Sequence, residues 1–142
     1  MEFADMRRLR RDALNPEYLE DSSAVCAMGV VRAVGKFLKH LARSTRPEPL
    51  GTNHRPAVVE ALGDMLAYCC GIEGDAGDPT AGDMYNCGAC VAEVLRSAAE
   101  LLYGVRSPRR LLKTVRTLCR TCAVDPEEAF LVSLEKMRCS RS

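Results

Sequence analysis

The chain has no tryptophan, aromatic residues make up 5% of its 142 positions, and Ile72 is its one isoleucine. Ala, Leu, Val and Arg dominate instead, so helix formers outweigh strand formers and an all-α class is expected. A strong charge of one sign is also missing. The formal net charge of +1 excludes a protein whose main task is to neutralise a nucleic-acid backbone. No apolar run approaches the roughly 18 to 20 residues of a membrane span, so a soluble protein without membrane contact is expected. Histidine is scarce as well. His40 and His54 are the only two, and neither stands near a Ser or Cys in a nucleophile setting, which leaves a hydrolytic triad without support.

Cysteine, by contrast, is abundant, with eight residues. Without a hydrophobic leader, this usage points to a reducing, intracellular compartment where Cys acts as a small apolar residue or a metal ligand. Arg7, Arg8, Arg10 and Arg11 on an amphipathic N-terminal segment are half of a mitochondrial import signature, which Glu2, Asp5 and Asp12 spoil. Cytoplasmic and mitochondrial residence therefore both stay open. The length fits one domain, 1–142, able to bury roughly two-thirds of the surface its unfolded form exposes.

Periodicity and punctuation divide the chain into five to six helices. The first runs over about Phe3–Leu14 and stops at Asn15-Pro16. A long second helix, Ser22–Arg43, has Asp21, Ser22 or Ser23 to cap it and an apolar stripe of Ala27, Val30, Val31, Val34, Phe37, Leu38 and Leu41. Gly29 and Gly35 inside it point to close helix contact or to a relic of ancestry. After a Pro/Gly-punctuated loop, Pro56 opens a third helix to Cys70. Residues 71–83, rich in Gly and Asp, read as a mobile loop. A fourth helix follows over Met84–Tyr103, with Asp83 as its cap and Gly104 beyond its end. Ser107-Pro108 opens a fifth to Cys122, and Asp125-Pro126-Glu127-Glu128 opens a sixth through a capping-box arrangement.

The third helix, PAVVEALGDMLAYCC, carries the chemistry. Glu60 and Asp64 are four residues apart, roughly 40° around a helix, so both carboxylates emerge on one face and are metal-ligand candidates. Val58, Val59, Leu62, Met65, Leu66 and Cys69 would bury the rest of that helix and place the acids in a cleft. Glu93 and Glu100, two turns apart on the fourth helix, could add further ligands. The acids of the loop, Asp75, Asp78 and Asp83, do not have the spacing of an EF-hand. Two C-x-x-C pairs, Cys87 with Cys90 and Cys119 with Cys122, offer four thiolates to a tetrahedral Zn²⁺, although the interval between them is long for a zinc ribbon and core packing beside Leu112, Val115 and Leu118 serves as well. Arg109, Lys113, Arg116 and Arg120 form a basic stripe on the fifth helix that fits RNA phosphates, a nucleotide tail, an acidic partner helix or plain solvent. No aromatic interleaving supports base stacking.

In order along the chain, these segments resemble the all-α nucleoside triphosphate pyrophosphatases, the family of MazG and dCTP pyrophosphatase. VVEALGDMLAY, residues 58–68, is similar to that family's E-E-L-G-D or E-E-L-S-D helix; AVGKFLKH, residues 33–40, stands at the place of its G-E-x-G-E helix; CAVDPEEAFLVSLEKMR, residues 122–138, is similar to its last helix. The resemblance implies a MazG-like core with an inserted loop and helix over about residues 71–108. It also implies Mg²⁺-assisted attack of water on a triphosphate, releasing pyrophosphate and a nucleoside monophosphate. The departures bear on that chemistry. Ala33 and Lys36 replace the first E-x-x-E pair, Ala61 replaces the Glu of the second, and only Asp64 matches outright. Ser133 and Met137 stand where the last helix has Lys and Asn.

One or two acids are too few to grip Mg²⁺ and a triphosphate together. The expectation is therefore a degenerate MazG-like helical scaffold, an assembly or interaction subunit without catalysis and with no firm cofactor. A protein partner or a homo-oligomer is expected, with a ribonucleoprotein reached through the basic stripe as a further option. The alternatives are an active (d)NTP pyrophosphatase with Mg²⁺ on relocated ligands, and a zinc-stabilised helical adaptor.

Overall fold

A computed structural model describes residues 1–14, 22–44, 55–74, 86–104 and 108–139, with the side chains of 41–44 excepted. It is all-helical: α1 (Phe3–Ala13), α2 (Ser23–Ser44), α3 (Arg55–Cys69), α4 (Cys87–Leu102), α5 (Arg109–Thr121) and α6 (Pro126–Cys139), with no strand among the described residues. The expected loop lies outside the described residues beyond Gly74, as does the linker over 45–54, His54 included. No described helix is long and apolar enough to cross a membrane.

Local chemistry sets the ends. Ser22 Oγ accepts the Val25 amide at 3.2 Å and starts α2, and Asp125 Oδ1 accepts the Glu127 amide at 3.2 Å and starts α6. For α4 the expectation needs correcting. The cap is Asn86, whose Oδ1 accepts the Ala89 amide at 2.8 Å, so the helix begins three residues later than the periodicity predicts. At its other end Gly104 takes a left-handed φ of 102°, a conformation that costs a glycine little.

α3 is the axis of the bundle. Its residues Val58, Ala61, Leu62, Met65, Leu66, Ala67 and Cys69 are buried on nearly every side, as expected of a helix with apolar residues around its circumference. α2 and α6 both pack along α3 and run antiparallel to it, α4 lies against α2, and α5 lies against α4 with a smaller contact to α3. Two glycines bring the outer helices close. A Cβ on Gly29 would lie 2.5 Å from the Tyr68 ring, and one on Gly63 would lie 2.0 Å from the Ala129 carbonyl oxygen. Gly35 has a different role, because nothing lies within 4 Å of its missing Cβ.

The stripe expected on α2 is only partly internal. Ala27, Val30, Val34 and Phe37 are buried, whereas Val31 and Leu38 remain 38% and 40% exposed and face away from α3. The helix is apolar on more than one face, so periodicity alone merges the core stripe with an outward one.

Candidate functional site

Glu60 and Asp64 do emerge on one face of α3, between α2 and α6. Asp64 is buried, its side chain 10% exposed, and accepts a 2.5 Å hydrogen bond from Ser133 Oγ of α6. One turn further along α6, Lys136 Nζ donates to both Asp64 oxygens at 3.0 Å and to Glu60 Oε1 at 2.9 Å. Lys36 Nζ, arriving from α2, donates to the same Glu60 oxygen. Two carboxylates and two ammonium groups therefore close a neutral network across three helices. Charge-assisted bonds of this kind satisfy a buried Asp that would otherwise be costly to desolvate.

The Lys36 hydrogen bond, and then that of Lys136, hold the Glu60 carboxyl below the ordinary carboxylate range. For Lys136, partial burial alone would lower the ammonium value, but its hydrogen bonds to Glu60 and Asp64 outweigh burial and raise it. A lowered acid contributes stability that is complete above its ordinary value of 4.5 and is lost as pH falls through its lower folded value. A raised lysine contributes stability that is complete below 10.5 and is lost as pH rises through its higher folded value. Chemical denaturation across pH should accordingly show a plateau between these limits, with acid and alkaline losses that both shrink in Glu60→Gln. Equal losses in that variant and the natural chain would contradict the network.

The other expected ligands lie elsewhere. Glu93 pairs with Arg110 Nε at 2.5 Å and with Arg96 at 3.6 Å, and borders a separate groove of about 420 Å³ with Lys113, Thr114 and Thr117. Glu100 is half-buried near the end of α4. Among the described residues no group of three or more His, Cys, Asp or Glu side chains is placed to hold a metal ion. A divalent cation arriving at Glu60 and Asp64 would meet two carboxylates already neutralised and two ammonium groups in its path.

Of the two C-x-x-C pairs, one cysteine from each meets across the seam of α4 and α5. Cys87 and Cys122 bring their Sγ atoms to 3.9 Å, while Cys90 and Cys119 are buried. Desolvation pushes the Cys119 and Cys122 thiols up to about 12, and the Cys90 thiol also upward.

The basic stripe also needs revision. Arg109, Lys113 and Arg120 are exposed, but Arg116 turns inward and donates to the Met1 carbonyl at 2.9 Å and to Met6 Sδ at 3.4 Å. The start of α1 lies over this part of α5, so the middle of the stripe serves the fold. Sequence reasoning also passed over Lys136 altogether. Its only signal was indirect: a carboxylate pair inside an apolar helix requires cations from somewhere in the chain.

Compared with known proteins, the chain matches no family model, no curated protein and no solved structure.

Proposed function

We propose that this protein is a non-catalytic helical scaffold of MazG-like descent, an interaction subunit that docks a partner helix along α2. The observation that carries the reading is Lys136 Nζ lying astride Asp64 and Glu60 at 2.9–3.0 Å, with Lys36 on the other side of Glu60. In the pyrophosphatases that the sequence resembles, an acid at the place of Asp64 helps to hold Mg²⁺, whereas Glu60 corresponds to a neighbouring Glu outside the ligand motif. Here an ammonium group supplies the counter-charge, and it brings neither a vacant coordination position nor an activated water.

The docking half of the reading rests on α2. Ala24, Met28, Val31, Gly35 and Leu38 recur at intervals of four, three, four and three residues, the spacing of a helix–helix seam, and all five are exposed. Met28 alone is 54% exposed. The missing side chain at Gly35 lets a partner backbone approach closely. Val25, Arg32 and Lys39 flank the seam along one edge, also exposed. Two copies of α2 laid antiparallel would set Arg32 and Lys39 against their own counterparts, so the charge favours a partner helix whose apolar stripe is edged by Asp or Glu.

Purified protein incubated with Mg²⁺ or Mn²⁺ and a panel of dNTPs and NTPs should release no pyrophosphate. Turnover abolished by Asp64→Ala would overturn the scaffold reading and restore the enzyme. For the seam, a fluorescent helical peptide with Leu at heptad spacing and Glu at its edges should bind the natural chain. Its Lys-edged counterpart should bind at least about tenfold more weakly. Met28→Glu, on an open face, should leave the melting temperature in place and abolish binding. Binding that ignores peptide charge and Met28 would remove α2 from the account.

A further inference from the structure

We propose that Cys87 and Cys122 are a reversible dithiol–disulfide couple, oxidised by exchange with a small-molecule disulfide, that fastens the first turn of α4 to the end of α5. The two residues belong to different C-x-x-C pairs, and the fold selects one from each. Their Sγ atoms stand 3.9 Å apart, so a bond of about 2.05 Å requires a closing movement of less than about 2 Å, within the reach of side-chain rotation.

Access separates these two thiols from the rest. Cys26, Cys69, Cys70, Cys90 and Cys119 are buried, and Cys139 is exposed at the far end of α6. Cys87 and Cys122 are half-buried, open enough for a tripeptide disulfide to approach and close enough to resolve the adduct. Their positions also divide the labour. Cys87 is the first residue of α4, on the outward-facing opening turn of the helix. Cys122 caps the end of α5, donating its amide to the Leu118 carbonyl at 3.0 Å, and burial pushes its thiol up to about 12. Because burial holds back Cys122, Cys87 is the attacking group and Cys122 the resolving one.

The exchange balances without any group beyond the named oxidant. Cys87 thiolate attacks one sulfur of glutathione disulfide, the S–S bond breaks, and one glutathione leaves as thiolate and takes a proton from water. Cys122, having lost its proton to solvent, then attacks Cys87 Sγ and expels the second glutathione. Two electrons pass from the protein dithiol to the small disulfide, and two glutathione thiols result. The bridge joins residues 35 apart in sequence across two helices, restraining the unfolded chain.

The full chain equilibrated in glutathione buffers of increasing oxidised fraction, then alkylated and digested, tests this directly. The expected product is a peptide pair linking Cys87 to Cys122, with two fewer alkylatable thiols. The melting temperature should rise by roughly 10 °C and return after dithiothreitol. Cys122→Ser should stop at a glutathione adduct on Cys87, and Cys87→Ser should give neither bridge nor adduct at Cys122. Both thiols remaining alkylatable in the most oxidised buffer would overturn the proposal, and so would a bridge confined to Cys87 and Cys90. Because the mapping is made on the natural chain, it does not depend on either variant folding. Failure here would leave the scaffold reading untouched, since that rests on α2, α3 and α6.

Discussion

Gly63→Ala should destabilise the protein by about 3 kcal/mol, the upper part of the range for overpacking a core. The added Cβ would stand 2.0 Å from the Ala129 carbonyl oxygen, 2.7 Å from its carbon and 3.0 Å from Ser133 Cβ. Two of these atoms are backbone, so no rotamer change relieves the clash and α6 must withdraw from α3. That withdrawal would stretch the Ser133 and Lys136 bonds to Asp64, adding a polar loss to the steric one. Gly35→Ala on the open side of α2 provides the matched control. Nothing lies within 4 Å there, so restoring helix propensity should stabilise by about 0.5–1 kcal/mol. Urea unfolding of the two variants should move the midpoint in opposite directions. A Gly63→Ala protein as stable as the natural chain would mean that α6 does not seat on α3 in this way.

Lys136→Ala should cost about 2–3 kcal/mol. Removing one partner of a fully buried ion pair costs about 3–5 kcal/mol, and exposed pairs contribute at most about 1. This lysine falls between those limits. Its side chain is 41% exposed, but its acceptor Asp64 is only 10% exposed and would be left with the Ser133 hydroxyl alone. Glu60 keeps Lys36 and should lose less. Adding Asp64→Asn to Lys136→Ala should recover part of the loss, because the uncompensated charge is then gone. A double-mutant cycle should give a coupling energy above about 1 kcal/mol between positions 64 and 136. Additive single losses would reduce the bridge to surface decoration.

Much of the fold was legible because local chemistry and global packing agree. Pro56 in the first turn of α3, Gly104 past α4, Pro108 before α5 and Asp125-Pro126 at the start of α6 mark helix ends by steric rules that tertiary context did not overturn. Where local signals compete, the reading slipped. Asn86 capped α4 in place of Asp83, and Val31 and Leu38 went outward because α2 carries two apolar faces, only one of which meets α3.

The site was half legible. Four-residue spacing fixes Glu60 and Asp64 on one face, since that is a property of a single helix. Their partners are not, since Lys36 lies 24 residues before Glu60 and Lys136 lies 72 residues beyond Asp64. Only the packing of α2 and α6 on opposite flanks of α3 joins them. The same reason explains Arg116, whose place in a basic stripe held until α1 was laid across it, and Cys87 with Cys122, each read as half of its own motif.

The central claim is that ammonium groups hold the counter-charge of Glu60 and Asp64, so that a divalent cation gains nothing there. Titration calorimetry of Mn²⁺ into the natural chain at neutral pH measures this most directly. No saturable heat is the result the account predicts. One Mn²⁺ bound per chain at micromolar affinity, and lost in Asp64→Asn, would contradict it.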